Sequence, residues 1–220
     1  MKEWILFDDT YICVVNKPAT IPTQPDLTGD ASLLQIMEQC LGIKLFVIHR
    51  LDRVASGIVV FAKDAETAAL LSKQFQDKAM EKTYLAIVEK SPPKESDVLI
   101  HYLKKNAKTN TSKVFEKEAQ DTKRSELHYI IRSKSDRYVL LEVKLMTGRH
   151  HQIRAQLNAI GCSIKGDVKY GARRSNENKA IHLHAWQLKM KHPRTGEKLF
   201  LKAFPQDDVL WNYFRGQIEF

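Results

Sequence analysis

No apolar run in this chain approaches the roughly 20 residues that a membrane-spanning helix requires. The first residues, Met1-Lys2-Glu3-Trp4, lack the basic end, apolar middle and small-residue cleavage site of a secretion signal. Cysteine is scarce. Cys13, Cys40 and Cys162 are scattered, odd in number and form no Cys-x-x-Cys pair, which argues for reduced thiols and against a disulfide framework or a thiolate zinc cluster. No internal repeat, low-complexity tract or dividing linker interrupts the sequence. These absences predict a cytoplasmic protein, away from membranes, folded as a single domain over residues 1–220.

What is present narrows the reading further. A hydrophobic fraction of 43% over 220 residues is enough for a substantial core and argues against disorder. Thirty-five Lys and Arg stand against 26 Asp and Glu, a formal charge of +9 that points toward a polyanionic partner.

The stretch around which the chain is organised is His49-Arg50-Leu51-Asp52-Arg53-Val54-Ala55-Ser56, running into the apolar residues from Gly57 to Ala62. That β-branched run has the character of a strand buried on both faces. The polar turn before it sets Asp52 between Arg50 and Arg53, neighbours that favour its ionised form. An ionised carboxylate suits a nucleophile or an electrostatic stabiliser better than a general acid. The same residues also describe an aspartate that caps a turn and pairs with its neighbours.

Along the rest of the chain, Trp4 to Phe7 and Tyr11 to Asn16 read as strands about an Asp8-Asp9 turn, ended by Lys17-Pro18. Thr20 to Asp30 reads as a loop. Ser32 caps a helix carrying Leu33, Met37 and Leu41 and stopped by Gly42; Asp64 caps a second with Ala68, Leu71 and Phe75 on one side. Glu81 to Val88 alternates like a strand. Val98 to Phe115 has no acidic residue, and its Lys104, Lys105, Lys108 and Lys113 predict a mobile basic arm suited to a nucleic-acid backbone. Leu127 to Ile131 and Tyr138 to Leu145 predict a hairpin, and a helix carrying Ile153, Leu157 and Ile160 runs to Gly161. Lys198 to Phe204 is the last strand and Val209 to Phe214 the closing helix. His182 and His184 share one strand face, but without a third ligand at suitable spacing they predict no metal site. The pattern as a whole is α+β.

The central motif, HRLDRVASG, resembles the catalytic motif of the RluA family of pseudouridine synthases, with Val54-Ala55 where the family more often has Asp-Thr. Val15-Asn16-Lys17-Pro18-Ala19 resembles the opening segment of its catalytic domains, and Lys82-Thr83-Tyr84 its Lys-x-Tyr. Thr147-Gly148-Arg149-His150-His151-Gln152-Ile153-Arg154 is similar to its Thr-Gly-Arg-x-His-Gln-Ile-Arg, and residues 166–171 to its Gly-Asp-x-x-Tyr-Gly, where a tight turn alone would also explain the glycines. Ala155-Gln156 departs from the Val-His often found there.

The resemblance implies a mixed, mostly antiparallel sheet with flanking helices and loops around a central cleft. It implies an isomerase of ribosomal or transfer RNA that needs neither cofactor nor metal. Asp52 becomes the essential carboxylate, Tyr84 the ring lying against the target uracil, and Arg154 the partner of Asp52, with Arg149 as second choice. Arg50 is expected to enter the space left by the flipped base. Arg53, Arg149, His151, Lys104 and Lys105 are the remaining expected substrate contacts. A chain that starts directly at the catalytic segment, without the small N-terminal RNA-binding domain of many relatives, is expected to bind through its own surface, including Arg173-Arg174. Nothing demands an obligate protein partner or more than a monomer. A different class remains open: a non-catalytic RNA-binding or RNA-folding factor on the same fold. A glycosidase would need a second carboxylate in a comparable setting, and none is evident.

Overall fold

The computed structural model describes residues 1–216. The chain divides into two compact units, one of residues 1–82 and 184–206, the other of residues 83–183 with the segment from Asp207 onward.

In the first unit, β1 (Ile5–Asp8) and β2 (Ile12–Lys17) run antiparallel about a turn in which the Asp9 carboxylate accepts from the N–H groups of Tyr11 and Ile12, each at 2.7 Å. Ser32 begins α1 (Leu33–Leu41) with a full capping box to Gln35, and Gly42 ends it in the left-handed region at φ 68°. The short β3 (Phe46–Val47) and β2 both lie antiparallel to β4 (Ser56–Ala62). All seven residues of β4 are buried, as the apolar run requires. Asp64 caps α2 (Ala65–Gln76) by accepting from Thr67 N–H at 2.7 Å. Leu71, Ala68 and Phe75 of that helix pack with Ile58 and Val60 from β4 in one apolar core.

In the second unit, β5 (Glu81–Val88), β6 (Ser96–Asn106), β7 (Thr111–Phe115), β8 (Lys123–Lys134) and β9 (Val139–Leu145) form an antiparallel array in the order β5-β9-β8-β6-β7. The expected mobile arm is therefore an ordered hairpin. Leu99, Leu103 and Ser112 turn inward, and Leu103 and Val114 pack with Ala155 and Tyr170. The density of lysines hid an alternation of period two, and one of them, Lys104, pairs with Asp121 at 3.0 Å. α3 (Gln152–Ala159) packs against this hairpin and is buried at every position from Gln152 to Leu157.

Back in the first unit, β10 (Leu183–Lys191) runs parallel to β4 where His184 faces Ser56 and Ala185 faces Gly57, and β11 (Lys198–Lys202) is antiparallel to β10. In the second, Asp208 caps the closing helix α4 (Val209–Arg215). The fold is α+β on mixed, mostly antiparallel strands, as anticipated.

Candidate active site

Asp52 opens the turn at the foot of β4, and the backbone on both sides of it is fixed. Ala55 N–H closes the turn onto the Asp52 carbonyl at 3.0 Å. Before it, the buried Thr23 hydroxyl donates to the Leu51 carbonyl at 3.1 Å and accepts from the Leu51 N–H at 3.2 Å. After it, the Arg53 carbonyl accepts from Thr20 N–H at 2.7 Å and from the Lys17 ammonium at 3.2 Å. Lys17 is fully buried, and its ammonium also donates to the carbonyls of Pro18 and Ile21, both at 2.9 Å. Burial brings its pKa down to about 7, opposed by the nearby Asp52 charge and assisted by that of Arg53. The Lys-Pro that ends β2 is thus a hub of carbonyls, three residues' worth of loop gathered on one cation.

Arg53 turns its guanidinium to the loop of residues 20–30. It pairs with Asp30, lies 3.7 Å from Asp26 and donates to Thr28 Oγ1 at 2.6 Å. Arg50 is exposed. His49 lies against the Phe75 ring with centroids 4.8 Å apart, and its Nε2 accepts from Val60 N–H at 3.1 Å. Burial, with a smaller push from the Lys82 charge, lowers its pKa to about 3, so the ring is neutral. At the next strand, His184 Nε2 bonds the Ala203 carbonyl at 3.0 Å and must be the donor there. Its Nδ1 then accepts from the Ser56 hydroxyl at 2.8 Å. His184 and Lys17 therefore brace the foot of the strand beside Asp52, and His49 holds its middle.

The second unit holds a cluster around Arg154. This side chain is buried on α3 and forks onto Asp167, Nε to Oδ2 at 2.7 Å and Nη2 to Oδ1 at 2.8 Å. The Tyr170 ring faces the guanidinium carbon at 4.9 Å. Gly166 and Gly171, at φ 89° and 85°, form the bends that bring Asp167 and Tyr170 to the arginine together. The Tyr170 hydroxyl accepts from Ser112 N–H at 2.7 Å and meets His151 Nδ1 at 3.0 Å, while His151 stacks on His150 at 3.8 Å. Tyr84 sits on β5 opposite Val143 and is half-buried. Arg149 is exposed, with Nε on the Arg124 carbonyl at 3.2 Å, and Lys105 is exposed on β6. Gln156, in the place of the family's histidine, is buried and donates to the Leu99 carbonyl at 3.1 Å. His182, like His184, is engaged by protein groups, with Nε2 at 2.9 Å from Asp208 and Nδ1 at 3.1 Å from Asn176.

Four residues here were not singled out as functional from the sequence: Lys17, Thr23, Asp167 and Tyr170. The last two stand in the Gly-Asp-x-x-Tyr-Gly block, where the glycines were visible and the delivery of both side chains to Arg154 was not. The carboxylate of Asp52 thus stands on a turn whose backbone is held at both ends.

The sequence profile described as RNA pseudouridylate synthase matches residues 11–159. The tRNA pseudouridine synthase C of Vibrio parahaemolyticus is 33% identical, over 92% of this chain and 90% of that protein. The ribosomal large subunit pseudouridine synthase C of Rickettsia prowazekii is 29% identical, over 92% of this chain and 68% of its own. Human RNA Pseudouridylate Synthase Domain Containing 4 has the same fold, with a TM-score of 0.79 at 23% identity, covering 100% of this chain and 95% of that one.

Proposed function

The chain belongs to the RNA pseudouridylate synthase family, enzymes that isomerise uridine in RNA, and we propose that Asp52 is its essential carboxylate and structured transfer or ribosomal RNA its substrate. The reaction breaks the bond between ribose C1′ and uracil N1, turns the base, and joins C1′ to C5. The C5 hydrogen leaves as a proton and N1 gains one, so no external reagent enters. Asp52 acts ionised, either by adding to C1′ or by removing a ribose proton. The observation that carries this reading is the turn itself, with Leu51 and Arg53 each fixed by buried or loop hydrogen bonds so that the aspartate between them is presented from rigid backbone.

In this reading Tyr84 lies against the uracil and Arg154 is the charge partner of Asp52. Extracting a stacked uridine costs a few kcal/mol, and stacking on an aromatic ring returns about 1 to 3 kcal/mol. Arg50, already exposed, enters the vacated stack; Arg53, Arg149, His151, Lys104 and Lys105 contact the RNA around the target. The two units work as one catalytic domain, in the cytoplasm, as a monomer. The family membership and the retained Asp52 favour catalysis over a purely RNA-binding role.

The test is release of tritium from C5-labelled uridine in unmodified transcripts of transfer and large-subunit ribosomal RNA, without metal or cofactor. Release from one class identifies the substrate. Tight binding with no release from either class contradicts catalysis on these RNAs.

A further inference from the structure

The β10–β11 hairpin has two unlike faces. Leu188, Met190, Leu199 and Leu201 belong to the apolar core. The register pairs Gln187 with Lys202, Lys189 with Phe200, and Lys191 with Lys198, so the other face carries four lysines around one phenyl ring. Phe200 is 52% exposed. The Lys202 and Lys189 ammonium groups lie 5.1 and 5.7 Å from its centroid. Among the described residues one carboxylate, that of Glu81, reaches this group, 3.4 Å from Lys189.

Lysines alone on an edge hairpin would be explained as protection against unwanted strand pairing. An exposed phenyl among them works against that purpose, because it adds an apolar surface where the charges would discourage one. Aromatic ring and cations together match the two chemical elements of a single-stranded nucleic acid, base faces and phosphates. Lys198 and Lys202 are four residues apart, on the order of 13 Å at about 3.3 Å per residue, and so flank the ring along the strand.

We propose that this face is a docking surface for single-stranded RNA, with one base stacked on Phe200 and the adjoining phosphates held by Lys189, Lys191, Lys198 and Lys202. The inference rests on RNA being the substrate and adds a binding surface apart from the residues assigned to the target uridine. It gives the chain a grip on a segment flanking the modified nucleotide.

Fluorescence anisotropy with a labelled oligouridine and with an unmodified transfer RNA transcript, between 50 and 200 mM salt, tests it. Phe200→Ala raises the Kd for oligouridine about tenfold and Phe200→Trp restores binding, because stacking rather than apolarity is used. The double variant Lys198→Ala/Lys202→Ala flattens the salt dependence of log Kd by about 1.4, since each phosphate that a lysine neutralises on a single strand adds roughly 0.7 to the slope. All three changes lie on exposed or half-exposed positions, and unchanged thermal melting confirms intact folding. Affinity within twofold of the parent for Phe200→Ala, or an unaltered salt slope for the lysine pair, overturns the proposal. So does a change in self-association without a change in RNA affinity, which would make the face a protein-binding surface. A parent protein that binds RNA through this face but isomerises none leaves the surface standing and removes the functional reading instead.

Discussion

One hydroxyl, that of Thr23, satisfies both backbone groups of Leu51, donating to its carbonyl at 3.1 Å and accepting from its N–H at 3.2 Å. The residue that follows is Asp52, so a loop side chain far away in sequence sets where the carboxylate's backbone begins. Thr23→Val keeps the shape and removes both bonds, leaving two buried polar groups at a cost of about 1 to 3 kcal/mol each. The expected outcome is a lower melting temperature and a fall in single-turnover rate of at least tenfold, while Thr23→Ser retains the parent's behaviour. Equal rates for Thr23→Val and the parent would show that this clamp does not position Asp52.

Gly57 stands where β4 and β10 run parallel, at φ 113°, and a Cβ there would overlap the backbone of Ala185. Strand glycines of this kind mark close approach of another backbone. Gly57→Ala forces either β4 or β10 to move, an overpacking cost of roughly 1 to 3 kcal/mol before any backbone strain is added. Urea unfolding should show a midpoint well below that of the parent. A midpoint unchanged by this substitution contradicts the register.

Arg154 and Asp167 form a buried pair with each side chain at most 5% exposed. Removing one partner of such a pair leaves a charge in a poorly solvated place, typically at a cost of about 3 to 5 kcal/mol. Asp167→Ala should be correspondingly destabilised, and Asp167→Asn less so because its amide oxygen still accepts. Chemical denaturation of the two variants side by side measures the difference, and equal stability of all three proteins would rule out the pair as a structural element.

The buried His184 has its pKa lowered to about 4 from an ordinary 6.5, mainly by burial. Above pH 6.5 both folded and unfolded chains hold it neutral, and its contribution is complete. As pH falls from 6.5 to about 4, the unfolded chain takes up a proton that the folded one refuses, so stability is lost across that window. The loss is on the order of 3 kcal/mol at ~1.4 kcal/mol per unit. A His184→Gln variant should lose less stability than the parent between pH 6.5 and 4. Parallel pH profiles would contradict the assignment.

Much of the fold was legible in the sequence because local chemistry and tertiary need agree. Ser32 and Gly42 bound α1, Asp64 begins α2, and the residues from Gly57 to Ala62 are buried strand because nothing in them can face water. The lysines of β6 and β7 read in the sequence as a mobile arm and the structure makes them a hairpin, since charge density says nothing about which side of each lysine's strand is buried. At the candidate site, the turn that carries Asp52 at the foot of β4 was legible from its flanking pattern. Lys17 was not, because a lysine after a strand is ordinarily a solvated residue, and only the folded loop gathers three carbonyls around its ammonium. Asp167 and Tyr170 were hidden for the same reason, their meaning being a meeting with Arg154 across the intervening chain.

The central claim is that Asp52 does the chemistry. It is tested most directly by single-turnover tritium release from the transcript that the parent modifies, comparing the parent with Asp52→Asn. Asparagine preserves size and the backbone clamps, so the variant should melt like the parent, bind the RNA with similar affinity and release no tritium. Release by Asp52→Asn at a rate within tenfold of the parent would contradict the account and move the essential carboxylate elsewhere in the chain.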